Sequence, residues 1–136
     1  MDTHEIHKLL DKKNQRQIQK GRKTEQRAFD ALTELEEVEE IRFSNPDEDL
    51  TTGTDIRLKL RGREEAVRIQ IKSSAIYVKK FRNHNEAYKK SGKRIVVINA
   101  GKDQTPESIR GQFKNELKRV DSIGRNIDRN RGLGHH

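Results

Sequence analysis

The chain has 136 residues, 29% of them hydrophobic and 38% charged, with a mean hydropathy of -1.13; it supports one domain, at the polar end of the globular range. No run of about 18 apolar residues occurs and no apolar signal core follows Met1, so neither a membrane-spanning nor a secreted protein is expected. The absence of cysteine excludes disulfides, thiolate metal sites and cysteine nucleophiles, and fits a cytoplasmic location. The net charge of +8 is uneven, because residues 25–50 hold ten acids against two bases and residues 51–100 hold thirteen bases against four acids; a polyanion, nucleic acid first, is the expected partner.

In chain order, residues 1–20 carry Ile6, Leu9, Leu10 and Ile18 at loosely helical spacing, which predicts an amino-terminal helix. Thr24 offers a cap to a second helix, in which Ala28, Phe29, Ala31, Leu32, Leu35 and Val38 recur at intervals of three and four. A short strand over Ile41–Phe43 and a polar loop over residues 44–53 follow. Strict alternation over residues 55–60 and 67–72, with Arg61-Gly62-Arg63 between, predicts a β-hairpin. Residues 81–90 read as one short helix ended by Ser91-Gly92, and the unbroken apolar centre of residues 94–99 reads as a strand covered on both faces. Thr105-Pro106-Glu107 then opens a last helix, with Ile109, Phe113, Leu117 and Val120 on one side. The expected fold class is α/β: a small mixed sheet flanked by helices, with a single domain over residues 1–121, its core over 21–121, and a flexible basic tail over 122–136.

Period-two alternation lets Asp55, Gln70 and Lys72 share one face of the hairpin. A carboxylate at a strand start, facing an oxygen-bearing side chain two residues before a lysine, suits a hydrolytic Mg²⁺ site. Hard cations take oxygen ligands, and the lysine can hold the attacking water and offset charge on a phosphate. Glu25, on the preceding helix, can add a second carboxylate from above the sheet. Plainer readings stand beside these: a cross-strand salt bridge for Asp55 and Lys72, and a helix-dipole acid for Glu25. Asp47 is a rival acid, but it sits in a loop without alternation.

A helix with a glutamate, then Gly53-Thr54-Asp55, a hairpin, the string Arg68-Ile69-Gln70-Ile71-Lys72-Ser73-Ser74, a helix and an apolar strand resemble the PD-(D/E)XK nuclease superfamily, whose core is that of restriction endonucleases. The resemblance covers residues 21–117. It implies Mg²⁺ held by Asp55, Gln70 and the carbonyl of Ile71, with Lys72 as catalytic lysine and Glu25 as the helix carboxylate. Gln70 departs from the usual Asp or Glu, which implies weaker metal binding. Glutamine at this place is similar to the intron-encoded homing endonuclease branch; Holliday junction resolvases are also similar in length and order.

Lys79, Lys80, Arg82, Lys89, Lys90, Lys93 and Arg94 form a basic stretch beyond the site, and Lys12, Lys13, Arg16, Lys20, Arg22 and Lys23 form another before it. Both are expected to contact phosphates. Few aromatics are available for stacking single strands, so duplex DNA is preferred. His4 and His7, three apart, lack further ligands, and Arg82-Asn83-His84-Asn85 lacks the framing of a His-centred nuclease. The expectation is thus a Mg²⁺-dependent DNA endonuclease acting as a homodimer or larger symmetric oligomer, assembled through the amino-terminal and final helices. A junction resolvase, a non-catalytic DNA-binding domain of the same fold and an RNA-binding assembly component are the alternatives.

Overall fold

The computed structural model describes residues 22–46 and 54–133, with side chains through residue 124. Helix α1 covers residues 22–33, followed by β1 (Val38–Phe43), β2 (Ile56–Leu60), β3 (Val67–Lys72), α2 (Ala75–His84), α3 (Glu86–Lys90), β4 (Val96–Asn99) and α4 (Pro106–Leu133). The strands form one mixed sheet in the order β1-β2-β3-β4. The first two pairings are antiparallel and β3 with β4 is parallel, as a helical crossover between them requires. Among the described residues no helix is long and apolar enough to cross a membrane.

Alternation decides which side chains the sheet buries. Ile56, Leu58 and Leu60 of β2, with Val67, Ile69 and Ile71 of β3, turn to one face and meet Ala28 and Leu32 of α1 and Ile109 and Phe113 of α4. Ile109 and Phe113 are buried on the sheet, and Leu117 and Val120 pack against the same core, so the apolar side of the final helix serves the fold of the monomer. On the opposite face Phe81 of α2 and Tyr88 of α3 cover Ile95 and Val97.

Several boundaries differ from the sequence reading. Thr24 is not a cap: the helix already includes residues 22 and 23, and Thr24 is buried in line with Ala28 and Leu32. Val38 opens β1 instead of closing α1, because pairing with Leu60 supplies ladder bonds that outweigh the helix preference of the glutamates around it. Residues 81–90 are not one helix. Ser74 accepts from Tyr77 N–H to cap α2, and Asn85 accepts from Tyr88 N–H to cap α3, so extended backbone at Asn85 divides the two. Helix α4 continues to Leu133, past the expected start of a flexible tail at residue 122; a nucleated helix without proline propagates cheaply.

The sheet has one managed edge. The outer side of β4 is paired by side chains of α4: Val97 N–H donates to Glu116 at 3.1 Å, Asn99 N–H donates to Gln112 at 2.9 Å and Gln112 returns a bond to Asn99 O at 2.9 Å. Arg119 completes the row by donating to the carbonyls of Ile95 and Lys93. These side chains stand where a fifth strand would, which closes the edge to pairing with another chain.

Candidate functional site

The ladder between β2 and β3 ends at Ile56 and Ile69, and the site begins there. Asp55 N–H still donates to Ile69 O at 2.8 Å, while Asp55 O accepts from Ser44 N–H at 2.8 Å, so its backbone is fixed on both sides. Beyond it the strands part, and the Asp55 carboxylate takes the place of the missing strand: Ile71 N–H donates to Asp55 Oδ2 at 2.8 Å. Within a strand the N–H and C=O of one residue point the same way. The Ile71 carbonyl therefore faces the Asp55 side, whereas Lys72 O faces β4, where it accepts from Ala100 N–H.

Asp55 and Gln70 are both 8% exposed, each one residue beyond the Ile56–Ile69 pair on its own strand. Gln70 Oε1 is buried and has no hydrogen-bond partner among the described residues. Glu25 approaches Asp55 from α1. With Arg22, Gln26, Phe43, Ser44 and Asp55 it lines a cleft of about 380 Å³, whose aromatic wall is steadied by stacking of Phe43 on Phe29 at 4.5 Å. The fold thus brings Asp55 and Glu25 into one cleft, and Gln70 is not among the residues that line it. Lys72 lies on the same face but turns away from the cleft, its Nζ 5.2 Å from the centre of the Phe81 ring.

A second cleft of about 370 Å³ adjoins the end of β3, lined by Lys23, Thr24, Arg27, Ser73, Gly101, Lys102 and Asp103. Glycine is required at residue 101, because a Cβ there would meet the carbonyl oxygen of Ser73. Arg27 donates to Ala100 O at 2.8 Å and ties α1 to this loop.

The basic residues are spread more widely than their sequence clustering suggests. Arg22 and Lys23 are exposed beside the two clefts, Lys79 and Lys80 are exposed on α2, Lys89 and Lys90 are exposed in the last turn of α3, and Lys93 and Arg94 are exposed before β4. Arg82 is directed elsewhere: it pairs with Glu116 at 2.9 Å. Burial would raise the Glu116 pKa, but hydrogen bonds from Arg119 and Val97 N–H, with the charges of Arg119 and Arg82, hold it below the usual carboxylate range. Lys12, Lys13, Arg16, Lys20, His4, His7 and Asp47 lie outside the described residues.

Sequence reasoning missed the edge-pairing role of Gln112, Glu116 and Arg119. Their spacing of four and three beside the apolar stripe was the available signal. It also missed that Arg42, Arg57 and Arg68 align across the sheet, for which single strands give no signal.

Among the described residues no three acidic or histidine side chains converge as a metal group. The oxygens available are two carboxylates, from Asp55 and Glu25, a buried amide oxygen and a backbone carbonyl. That donor set suits a hard cation better than a transition metal. No family model matches the chain, and neither a curated protein nor a solved structure matches it.

Proposed function

We propose that this protein is a Mg²⁺-dependent nuclease of the PD-(D/E)XK kind that cuts phosphodiester bonds in duplex DNA. The observation that carries the reading is the cleft in which Asp55 and Glu25 converge where β2 and β3 part, with the buried Gln70 oxygen, unpartnered among the described residues, one residue past the last pair of those strands. A buried polar atom without a partner costs about 1–3 kcal/mol, and a cation among these oxygens would relieve that cost. Asp55, Glu25, Gln70 and the Ile71 carbonyl would hold it. When bound, Mg²⁺ supplies neutralisation of phosphate charge and a more acidic water.

The remaining work falls to the chain. Asp55 is locked by the Ile71 N–H, so its carboxylate enters the reaction already oriented. Lys72 leaves the Phe81 ring to hold the attacking water and to offset negative charge as the phosphate becomes crowded. Lys23, Arg27 and Lys102, in the adjoining cleft, supply cations for the neighbouring backbone. Cutting both strands requires two such sites, hence a symmetric homo-oligomer; one site alone nicks.

The neutral Gln70 and the Lys72 ammonium resting on Phe81 also favour a second reading, a DNA-binding domain of this fold that does not cut. Supercoiled plasmid, linear duplex and a four-way junction incubated with and without Mg²⁺ separate the two. Metal-dependent nicking or cutting is expected, and binding without cleavage on all three substrates would establish the second reading.

A further inference from the structure

The parallel strands β3 and β4 start side by side, at the opposite end of β3 from Ile71, the residue that Asp55 holds. There a cleft of about 590 Å³ opens between the start of β3 and α4. Val67, Leu117 and Val120 give it an apolar wall, and Arg63, Arg68 and Arg94 line it with two acids, Glu65 and Asp121. The acids do not answer the arginines evenly. Asp121 takes two bonds from Arg63, at 2.9 and 2.6 Å, whereas the guanidinium groups of Arg68 and Arg94 make no hydrogen bond or ion pair among the described residues.

Arg68 is half-buried, and burial, then the charges of Arg57 and Arg94, lower its pKa against a smaller opposing effect of Glu65. Arg94 is exposed, but its backbone is held. Gly92 and Lys93 take φ of +67° and +63°, Lys93 N–H donates to Tyr88 O, Arg119 donates to Lys93 O, and Arg94 N–H donates to Ser91 Oγ at 3.2 Å. A lysine is strained in that region, and the fold keeps it where the next side chain is the second free guanidinium of the cleft. Each guanidinium is a planar fork that donates two parallel hydrogen bonds to an oxyanion. A carboxylate has two oxygens and is satisfied by one fork, whereas a phosphate group has enough oxygens to take two forks arriving from different strands.

We propose that this cleft binds a phosphate group, free or carried by a nucleotide, through the two forks of Arg68 and Arg94, with the rest of the ligand against Val67, Leu117 and Val120. A bound phosphate relieves the repulsion between the two cations, which Asp121, committed to Arg63, does not neutralise. The inference uses no residue of the Asp55 cleft, so it stands apart from the nuclease reading.

The test is isothermal titration calorimetry on the full chain, in chelator, with inorganic phosphate, a deoxynucleoside 5′-monophosphate and the corresponding neutral nucleoside. Phosphate and the monophosphate are expected to bind, and the nucleoside is not. Tighter binding of the monophosphate makes the ligand a nucleotide; equal affinity makes it the free ion. Arg68→Gln/Arg94→Gln should weaken phosphate about tenfold or more, since charge-assisted bonds are lost. The control Lys114→Gln/Lys118→Gln, which removes equal charge from exposed positions on α4, should leave the affinity within about twofold of the parent. Arg68→Lys/Arg94→Lys keeps the charge without the forks and should recover only part of the loss. Phosphate should also raise the urea midpoint of the parent and not that of the glutamine variant. If the double variant does not fold, Arg94→Gln, at an exposed site, is expected to weaken phosphate at least threefold, or about half the effect on a logarithmic scale. A folded parent that binds neither phosphate nor the monophosphate at millimolar concentration overturns the site, as does a loss no larger in the arginine variants than in the α4 control.

Discussion

The outer edge of β4 and the parting of β2 from β3 are both places where a strand runs out of backbone partners, and the chain treats them in opposite ways. At β4, Gln112, Glu116 and Arg119 return bonds to the strand and to one another. At the parting, Asp55 repairs one bond to Ile71 N–H, while Gln70 keeps a buried oxygen without a partner among the described residues. At the β4 edge the outward backbone groups of Val97 and Asn99 find partners within the chain. Under the proposed function, a bound cation would meet the Gln70 oxygen and offset the cost of burying it.

The largest expected effect breaks function while sparing stability. Lys72→Ala should lower Mg²⁺-dependent cleavage by roughly 10²–10⁴, with duplex affinity nearly unchanged because one lysine among many phosphate contacts matters little. Single-turnover cleavage and anisotropy on the same preparation measure both, and retention of more than a tenth of the parent rate would falsify the assignment of Lys72. Asp55→Asn should abolish cleavage as well. Its amide can still accept from Ile71 N–H, so the melting temperature should move little.

At the sealed edge the pattern inverts. Glu116→Ala removes the acceptor for Val97 N–H and strips two arginines of their partner. It should cost on the order of 2–4 kcal/mol by urea unfolding. Duplex binding by the folded fraction should be unaffected, and lost binding with unchanged stability would mean that the two regions are not separate. The same carboxyl sets an acid limit. Its folded pKa lies below the unfolded value, so its contribution is fully present above the unfolded value and disappears as pH falls through the folded one. The parent's urea midpoint should therefore fall more steeply than that of Glu116→Gln as pH drops below the ordinary glutamate range. Parallel curves would remove Glu116 as the cause.

Legibility from sequence followed range. The hairpin strands, the turn at Gly62 with φ +82° and the start of α4 all rest on short-range chemistry, and all were readable; Thr105 accepts from Ser108 N–H where Thr105-Pro106-Glu107 opens the helix. That Gln70 turns away from the apolar side of β3 followed from alternation alone. Pairing across strands was not readable. The connection over residues 61–66 sets which residue of β2 meets which of β3, so the line through Arg42, Arg57 and Arg68 emerges only once register is fixed. Arg82 illustrates the same limit: in sequence it belongs to a basic run, yet a carboxylate more than thirty residues later claims it. The division at Asn85 was within reach, since Asn followed by Glu is a start signal, but the helical spacing on either side concealed it.

The smallest effect sharpens the comparison most, because it opposes two glutamines in one protein. Gln112 makes bonds to Asn99 N–H, to Asn99 O and to Gln104, so Gln112→Leu leaves a strand edge unpaired and should cost about 1–2 kcal/mol. Gln70→Leu removes a buried oxygen that has no partner and replaces it with apolar volume of similar size. In chelator it should be neutral or stabilise by about 1 kcal/mol, since the unmet group disappears. In saturating Mg²⁺ the order should reverse: the parent gains stability as a ligand binding the folded state alone must provide, and Gln70→Leu gains less. Urea unfolding of both variants with and without Mg²⁺ gives four differences from the parent. If Gln70→Leu loses stability in chelator as Gln112→Leu does, then Gln70 is a structural residue, and the contrast between a sealed edge and an open site no longer holds.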